Sequence, residues 1–239
     1  VGLVVVLGLA LYLVKILHSP LDFTFYDEFL HWNTTNHIIQ SGRLFTDNTI
    51  SPVSSLYPGL EIITSAFANM SGLSVVESGI IILGIGRIAL MLGLYLFYER
   101  ITTSAQIGGV AAILYAANSN FIFFDSQFSY ESLSLPIALT LLFWVAYANR
   151  KPLRNFVQHI LLMLPLIAAL TITHHLTSYV IVGILALWAV VAFFKNRKSG
   201  DWLHLGVIAL ITFAIGLGGS KYVGNTTTAY LEPFIRNGV

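Results

Sequence analysis

Seven apolar runs dominate the chain, and each predicts a membrane-spanning helix. A helix needs about 20 mostly apolar residues to cross the hydrocarbon core of a bilayer, because it rises about 1.5 Å per residue. Several runs are shorter, so we expect them to extend into their flanks or to cross where the bilayer is thin. The predicted spans cover residues 1–17, 79–97, 101–118, 132–148, 156–173, 176–194 and 202–219.

The composition supports an all-α polytopic membrane protein. Of the 239 residues, 56% are hydrophobic and 10% are charged, whereas soluble domains carry about 25% charged residues. The absence of cysteine excludes disulfides and thiolate chemistry, and the net charge of +1 gives no reason to expect nucleic acid as a partner. Because the chain opens inside an apolar run without a methionine, we expect it to be a fragment of a longer protein, of which it forms one transmembrane module (1–239).

Basic residues orient the predicted spans. Three short connections hold seven of the 12 lysines and arginines, and the positive-inside rule places such connections in the cytoplasm. The seven residues are Arg100, Arg150, Lys151, Arg154, Lys195, Arg197 and Lys198. Counting crossings from these connections leaves three segments outside: 18–78, 119–131 and 220–239. We therefore expect an integral protein of the plasma (inner) membrane with an odd number of crossings.

Acidic residues concentrate on the predicted outer side. Nine of the 11 aspartates and glutamates fall there: Asp22, Asp27, Glu28, Asp47, Glu61, Glu77, Asp125, Glu131 and Glu232. This is partly the complement of the positive-inside rule. It does not explain why carboxylates and histidines gather beside short, otherwise apolar loops. We expect any chemistry to take place on the extracytoplasmic face.

The first outer loop, 18–78, is long enough to hold structure of its own. A helix is predicted over 27–41, ended by Gly42, and a second over 58–71, which begins at a proline and ends before Gly72. At about 15 residues each helix is too short to cross a bilayer. We expect both to lie in the plane of the membrane interface.

Asp27 and Glu28 are the candidate catalytic residues. A carboxylate at this position suits a general base that accepts the proton of an acceptor hydroxyl. The alternative is structural: Asp27 caps the helix, and Glu28 interacts favourably with the helix dipole. Asp125 and Glu131 of the second outer loop offer hard oxygen ligands for Mg²⁺ or Mn²⁺, or they are simply solvated loop acids and caps.

Four basic side chains are candidates for binding a substrate phosphate. His174 and His175 end a span; adjacent helical residues point about 100° apart, so they are not expected to bind one metal together. Lys221 follows the last span, where it either contacts a phosphate or snorkels to the interface. Arg87 lies in mid-span and should face the bundle interior, either paired structurally or near a lipid phosphate.

Four short motifs occur in an order that resembles one superfamily. The chain resembles the GT-C integral-membrane glycosyltransferases, which include protein O-mannosyltransferases and lipid A aminoarabinose transferases. Those enzymes share a module of seven spans with two juxtamembrane helices in the first outer loop. The motifs are Phe25-Tyr26-Asp27-Glu28, Ser41-Gly42-Arg43-Leu44-Phe45, Tyr57-Pro58-Gly59-Leu60 and Ser71-Gly72-Leu73-Ser74.

The resemblance implies inverting transfer of a sugar from a polyprenyl-phosphate donor to an acceptor glycan, lipid or protein at the outer membrane face. It places the acidic residue of the first loop on Asp27, and a divalent metal held partly by the second outer loop is a feature of some relatives. Three alternatives remain at this point: a transporter or channel, a membrane assembly subunit without catalysis, and a polysaccharide polymerase or ligase.

Overall fold

The computed structural model contains helices and no β-strands in the part of the chain that it describes. It describes residues 1–46, 48, 50, 53–149, 153–198, 200–223 and 236, with side chains omitted for 153–155. Asp47, Arg150, Lys151, Glu232 and most of the predicted outer segment 220–239 lie outside the described residues. Within these ranges, the ten α-helices are α1 (Gly2–His18), α2 (Tyr26–Ser41), α3 (Gly59–Ser71), α4 (Val75–Thr102), α5 (Ala105–Ala116), α6 (Ser119–Ile122), α7 (Tyr130–Ala148), α8 (Leu153–Thr173), α9 (His175–Lys195) and α10 (Asp201–Tyr222).

Among the described helices, five are long and apolar enough to cross a membrane: α4, α7, α8, α9 and α10. This agrees with a polytopic membrane protein, but it does not confirm the predicted count of seven. The helix α1 has 17 residues, about 26 Å at the usual rise, which is slightly less than the thickness of a bilayer core.

The helix in the region of the predicted span 101–118 is shorter than predicted. The first two residues of that span belong to α4, and α5 has only 12 residues. After α5, the chain bends by 74° into the stretch Ser119–Ser126. At the bend, the side chain of Asn118 accepts a hydrogen bond from the backbone N–H of Asn120 and so starts α6. If α5 and this stretch form one broken span, the number of candidate spans rises to six.

The two predicted helices of the first outer loop are confirmed as helices. The bounds of α2 and α3 differ from the prediction by one residue at their starts, and both end at left-handed glycines, Gly42 and Gly72, with φ of 65° and 75°. The next helix begins earlier than predicted, because Ser74 and Glu77 form a capping box at the start of α4. Glu77, assigned from sequence to the loop, therefore belongs to the first turn of α4.

Glycines let α1 and α5 pack closely on α4. A Cβ atom at Gly8 would collide with the side chain of Met91, and one at Gly108 would lie 2.8 Å from the carbonyl oxygen of Tyr95. Small residues at helix contacts allow this close approach within membranes. A separate hydrophobic core, around Leu141, lies between α7, α8, α9 and α10.

The helices alternate in direction, so the bundle has two chemically different ends. At the end that we call the acidic end, α8 and α10 finish, α4, α7 and α9 begin, and α2 and α3 lie beside them. At the opposite, basic end, α4, α7 and α9 finish and α10 begins, with Arg100, Lys195, Arg197 and Lys198. The described basic residues of the short connections thus lie together, as the positive-inside argument requires.

Cysteine labelling tests the orientation, because the native chain contains no cysteine. Ser71→Cys, exposed at the end of α3, should react with a membrane-impermeant maleimide added to intact cells. Lys198→Cys, exposed at the basic end, should react only after the membrane is permeabilised. The opposite labelling pattern would invert the orientation, and equal labelling of both sites would contradict a spanning bundle.

Candidate functional site

The carboxylate of Glu28 is fully buried and fully hydrogen-bonded. Its Oε1 atom pairs with the ammonium of Lys15 and accepts a hydrogen bond from the backbone N–H of Phe128 at 3.1 Å. Its Oε2 atom accepts from the backbone N–H groups of Thr24 and Phe25, at 2.9 and 3.1 Å. Both oxygens are therefore occupied, which gives Glu28 a structural role.

Asp27 is placed differently from its neighbour. Phe25 is the N-cap of α2, and Glu28 closes the first turn, so Asp27 is not the capping residue. Its side chain is exposed, and no described residue forms a hydrogen bond with its carboxylate. Of the two adjacent acids, only Asp27 is free to meet a substrate.

Asp27 is near enough to Glu131 for their charges to interact, and Glu131 in turn contacts His174. The charges of Asp27 and Glu131 repel each other across the space between the starts of α2 and α7. Glu131 is half-exposed, and its Oε1 atom lies 3.5 Å from Nε2 of His174, the residue between α8 and α9. Tyr130 stacks on the His174 ring with centroids 4.7 Å apart. The structure thus brings together side chains, those of Asp27 and Glu131, that are separated by more than 100 positions in sequence.

His174 is neutral at physiological pH. Burial, and secondarily the charge of His31, lowers its pKa from 6.5 to about 4. Its Nδ1 atom lies 2.7 Å from Oγ1 of Thr177, which lies 3.1 Å from Oγ of Ser134. The 3.5 Å contact with Glu131 is therefore a long polar contact of a neutral imidazole and not an ion pair.

A buried pair, His31 and Glu61, supports this cluster and was not identified from sequence. Nδ1 of His31 lies 2.5 Å from Oε1 of Glu61, which joins α2 to α3. The His31 ring also packs edge-on against Tyr130, with centroids 4.4 Å apart. One feature of the sequence could have indicated His31. It follows Asp27 by four residues, and residues four apart lie on the same side of a helix.

The start of α3 lies directly against the end of α8. A Cβ atom added at Gly59 would lie 2.7 Å from Cα of Thr173, so only glycine allows this contact. The contact brings Tyr57 onto His175, with their rings stacked at 4.3 Å. His174 and His175 thus diverge as expected, one toward Glu131 and the other toward Tyr57.

An apolar groove lies next to the Tyr57–His175 stack, and Tyr57 forms part of its lining. The groove has a volume of about 370 Å³ and lies between α8, α10 and the first outer loop. Both ring nitrogens of His175 are buried and lack hydrogen-bond partners among the described residues. Residues that line the groove include Phe45, Leu56, Tyr57, Thr171, Gly219 and Tyr222.

Arg87 faces the bundle interior, as predicted from its position in mid-span. Its guanidinium donates to the carbonyl of Phe121 and the hydroxyl of Ser126 and lies 4.0 Å from the centre of the Phe121 ring. Asp125 lies 3.9 Å from Nη1 of Arg87 and accepts a 2.8 Å hydrogen bond from Tyr115. These contacts favour the structural pairing of Arg87 over phosphate binding.

The proposed metal ligands point to different partners. Asp125 is held by Arg87 and Tyr115, whereas Glu131 lies against His174. Within the described ranges, no three histidine, aspartate or glutamate side chains are placed to hold a metal ion. Lys221 is exposed in the last turn of α10 and forms no hydrogen bond or ion pair with the described part of the chain.

The function is inferred from the geometry of the site and not from similarity to known proteins. The sequence matches no protein-family model, and no curated protein is significantly similar to it. The site contains one exposed carboxylate, that of Asp27. It lies at the edge of the aromatic cluster formed by Tyr130, His174, His175 and Tyr57. The apolar groove lies on the far side of that cluster.

Substitutions at Glu28 and at Asp27 should differ in their effect on the free energy of unfolding, because only Glu28 is buried. Glu28→Gln leaves Lys15 unneutralised in a buried position, which should lower the free energy of unfolding by about 3–5 kcal/mol. Asp27→Asn, one residue away and exposed, should change it by less than about 1 kcal/mol. Unfolding in mixed detergent micelles measures both. Similar losses in the two variants would contradict the structural role of Glu28.

The neutral state of His174 predicts a pH-dependent stability. Between about pH 6.5 and 4, the unfolded chain binds a proton at this residue that the folded protein does not, so stability falls as the pH is lowered. From pH 7 to pH 5, His174 should contribute a loss of about 2 kcal/mol. His174→Gln should remove this part of the pH dependence, and His37→Gln, an exposed control, should keep it. Identical profiles for wild type and His174→Gln would contradict the assignment.

Proposed function

We propose that this protein transfers a sugar from a polyprenyl-phosphate donor to an acceptor hydroxyl at the acidic end of the bundle, with Asp27 as general base. The observation that carries the proposal is the exposed Asp27 carboxylate, whose charge acts on Glu131, itself in contact with His174. This cluster lies on the bundle end that faces outward by the positive-inside rule. The resemblance of the four loop motifs to those of the GT-C enzymes points the same way.

The proposed reaction is a direct displacement. Asp27 accepts the proton of the acceptor hydroxyl while that oxygen attacks the anomeric carbon of the sugar. The bond between the anomeric carbon and the phosphate oxygen breaks, and the polyprenyl phosphate leaves with the bonding electrons. Attack from the side opposite the leaving group inverts the configuration at the anomeric carbon. No step is assigned to a metal ion.

The apolar groove supports a lipid-linked donor. Its wall of Tyr57, Thr171 and Gly219 offers a surface for the first isoprene units, and Tyr57 stacks on His175. A neutral imidazole carries one N–H, and both nitrogens of His175 lack a partner among the described residues. We assign that N–H to the leaving phosphate, where it stabilises developing negative charge.

Glu131 and His174 orient the site around the base. The Thr177–His174 contact and the Tyr130 stack hold the imidazole, which in turn lies against Glu131. Glu131 therefore remains as an acceptor close to Asp27, suited to bind a sugar or acceptor hydroxyl. Side chains held by such contacts position substrates without moving during the reaction.

Removing the basicity of Asp27 is the direct test. Asp27→Asn preserves shape and should reduce transfer by about 10²–10⁴-fold, the usual contribution of a general base. Membranes containing the protein would be incubated with mannose, glucose or aminoarabinose linked to polyprenyl phosphate, each sugar being radiolabelled. The labelled product on the outer face would then be measured.

Asp22→Asn provides the matched control, since Asp22 is an exposed acid of the same loop whose side chain bonds only locally, to the N–H of Phe23. Transfer by Asp22→Asn should equal that of wild type. Undiminished transfer by a well-expressed Asp27→Asn protein would remove Asp27 from the mechanism. Failure of the wild-type protein to transfer any of the three sugars, while still binding their carriers, would favour a subunit without catalysis.

A further inference from the structure

A polar pocket lies at the basic end of the bundle, opposite the acidic end that holds Asp27 and Glu131. It has a volume of about 360 Å³, within the range of small-molecule sites. The ends of α4, α7 and α9 and the start of α10 form its walls, with Trp188 on the apolar side. Its polar lining consists of Arg100, Asn149, Lys195, Asn196 and Asp201.

Two buried atoms in this pocket lack partners among the described residues. They are Nε of Arg100, which is a donor, and Oδ1 of Asn149, which is an acceptor. Buried polar groups in proteins are nearly always hydrogen-bonded. A group that satisfies both atoms must present an acceptor to Arg100 and a donor, such as a hydroxyl, to Asn149.

The charge of the pocket selects an anionic acceptor. Arg100 and Lys195 outnumber Asp201, so the lining is net positive. The guanidinium of Arg100 lies 5.3 Å from the centre of the Tyr147 ring, which restricts its orientation. A planar guanidinium with several donors matches the oxygens of a phosphate.

We propose that this pocket binds a phosphoglycerol group, presented by an anionic phospholipid of the leaflet at the basic end. Arg100 and Lys195 hold the phosphate, and Oδ1 of Asn149 accepts a hydrogen bond from a glycerol hydroxyl. The pocket lies where the candidate spanning helices α4, α7 and α9 end, so the headgroups of that leaflet would lie beside it. Basic pockets between spanning helices on the positive side recognise anionic headgroups in this way. The proposal is independent of sugar transfer, because it uses no residue of the acidic end.

Soluble glycerol phosphate would present the same chemistry, so the test includes both sources. The 239-residue chain, purified in detergent, would be titrated with phosphatidylglycerol, phosphatidylcholine and glycerol phosphate, and bound molecules would be measured by native mass spectrometry. Wild type should bind phosphatidylglycerol at least about tenfold more tightly than phosphatidylcholine. Residue-dependent binding of glycerol phosphate without this lipid preference would assign the pocket to the soluble compound.

Three variants distinguish the pocket from general charge attraction. Arg100→Gln should weaken phosphatidylglycerol binding about tenfold to a hundredfold, the range for a lost charge-assisted hydrogen bond. Asn149→Ala should weaken phosphatidylglycerol binding but leave binding of phosphatidic acid, which has no glycerol headgroup, unchanged. Lys198→Gln, an exposed cation of the same end outside the pocket lining, should bind like wild type.

Two results would overturn the proposal. One is equal binding of phosphatidylglycerol by wild type and by a folded Arg100→Gln protein. The other is an equal loss in Lys198→Gln and Arg100→Gln, which would show attraction to net charge alone. Arg100→Lys covers the case in which Arg100→Gln does not fold: it keeps the charge, and it should lose affinity because it lacks the guanidinium Nε donor. Wild-type affinity of Arg100→Lys would contradict the role of that atom.

Discussion

The buried carboxylate of Glu28 organises the acidic end of the bundle. A charge removed from water is costly unless it is paired and all its hydrogen-bonding positions are filled, and both conditions hold here. Its four partners come from α1, from the two residues that lead into α2, and from the segment before α7. One side chain thereby fixes the start of α2 against the start of α7. The position of Asp27 relative to Glu131 follows from that attachment.

The fold was predictable wherever a local signal marks the end of a helix. Glycines 42 and 72 ended α2 and α3 as expected, because each adopts the left-handed conformation that follows a helix. Hydropathy overestimated the length of the span predicted over 101–118, because α4 extends to Thr102 and α5 covers only Ala105–Ala116. Asn118, the last residue of that predicted span, caps the next helix, and no measure of apolar length detects such a cap. The capping box of Ser74 and Glu77 similarly lengthens α4 beyond its apolar run.

The candidate site was predictable residue by residue, but its arrangement was not. The composition of the outer loops identified Asp27, Glu131 and His174, since acids and histidines are unusual beside apolar spans. Adjacent Asp27 and Glu28 are chemically alike, and only their burial separates them, which depends on Lys15 and on a backbone N–H 100 residues away. The pair of His31 and Glu61 joins two helices across 30 residues, and no periodic pattern in the sequence predicts such a contact.

Both ends of the bundle keep buried polar atoms without a hydrogen-bond partner among the described residues. At the acidic end, the filled hydrogen-bonding positions of Glu28 hold the surroundings of Asp27 in place. At the same end, both ring nitrogens of His175 lack such a partner. At the basic end, Nε of Arg100 and Oδ1 of Asn149 lack one, in a pocket with room for a ligand. Because a buried polar atom without a hydrogen bond is unfavourable, a ligand that supplies the missing bond is stabilised at either end. The acidic end differs in that it also positions an exposed carboxylate.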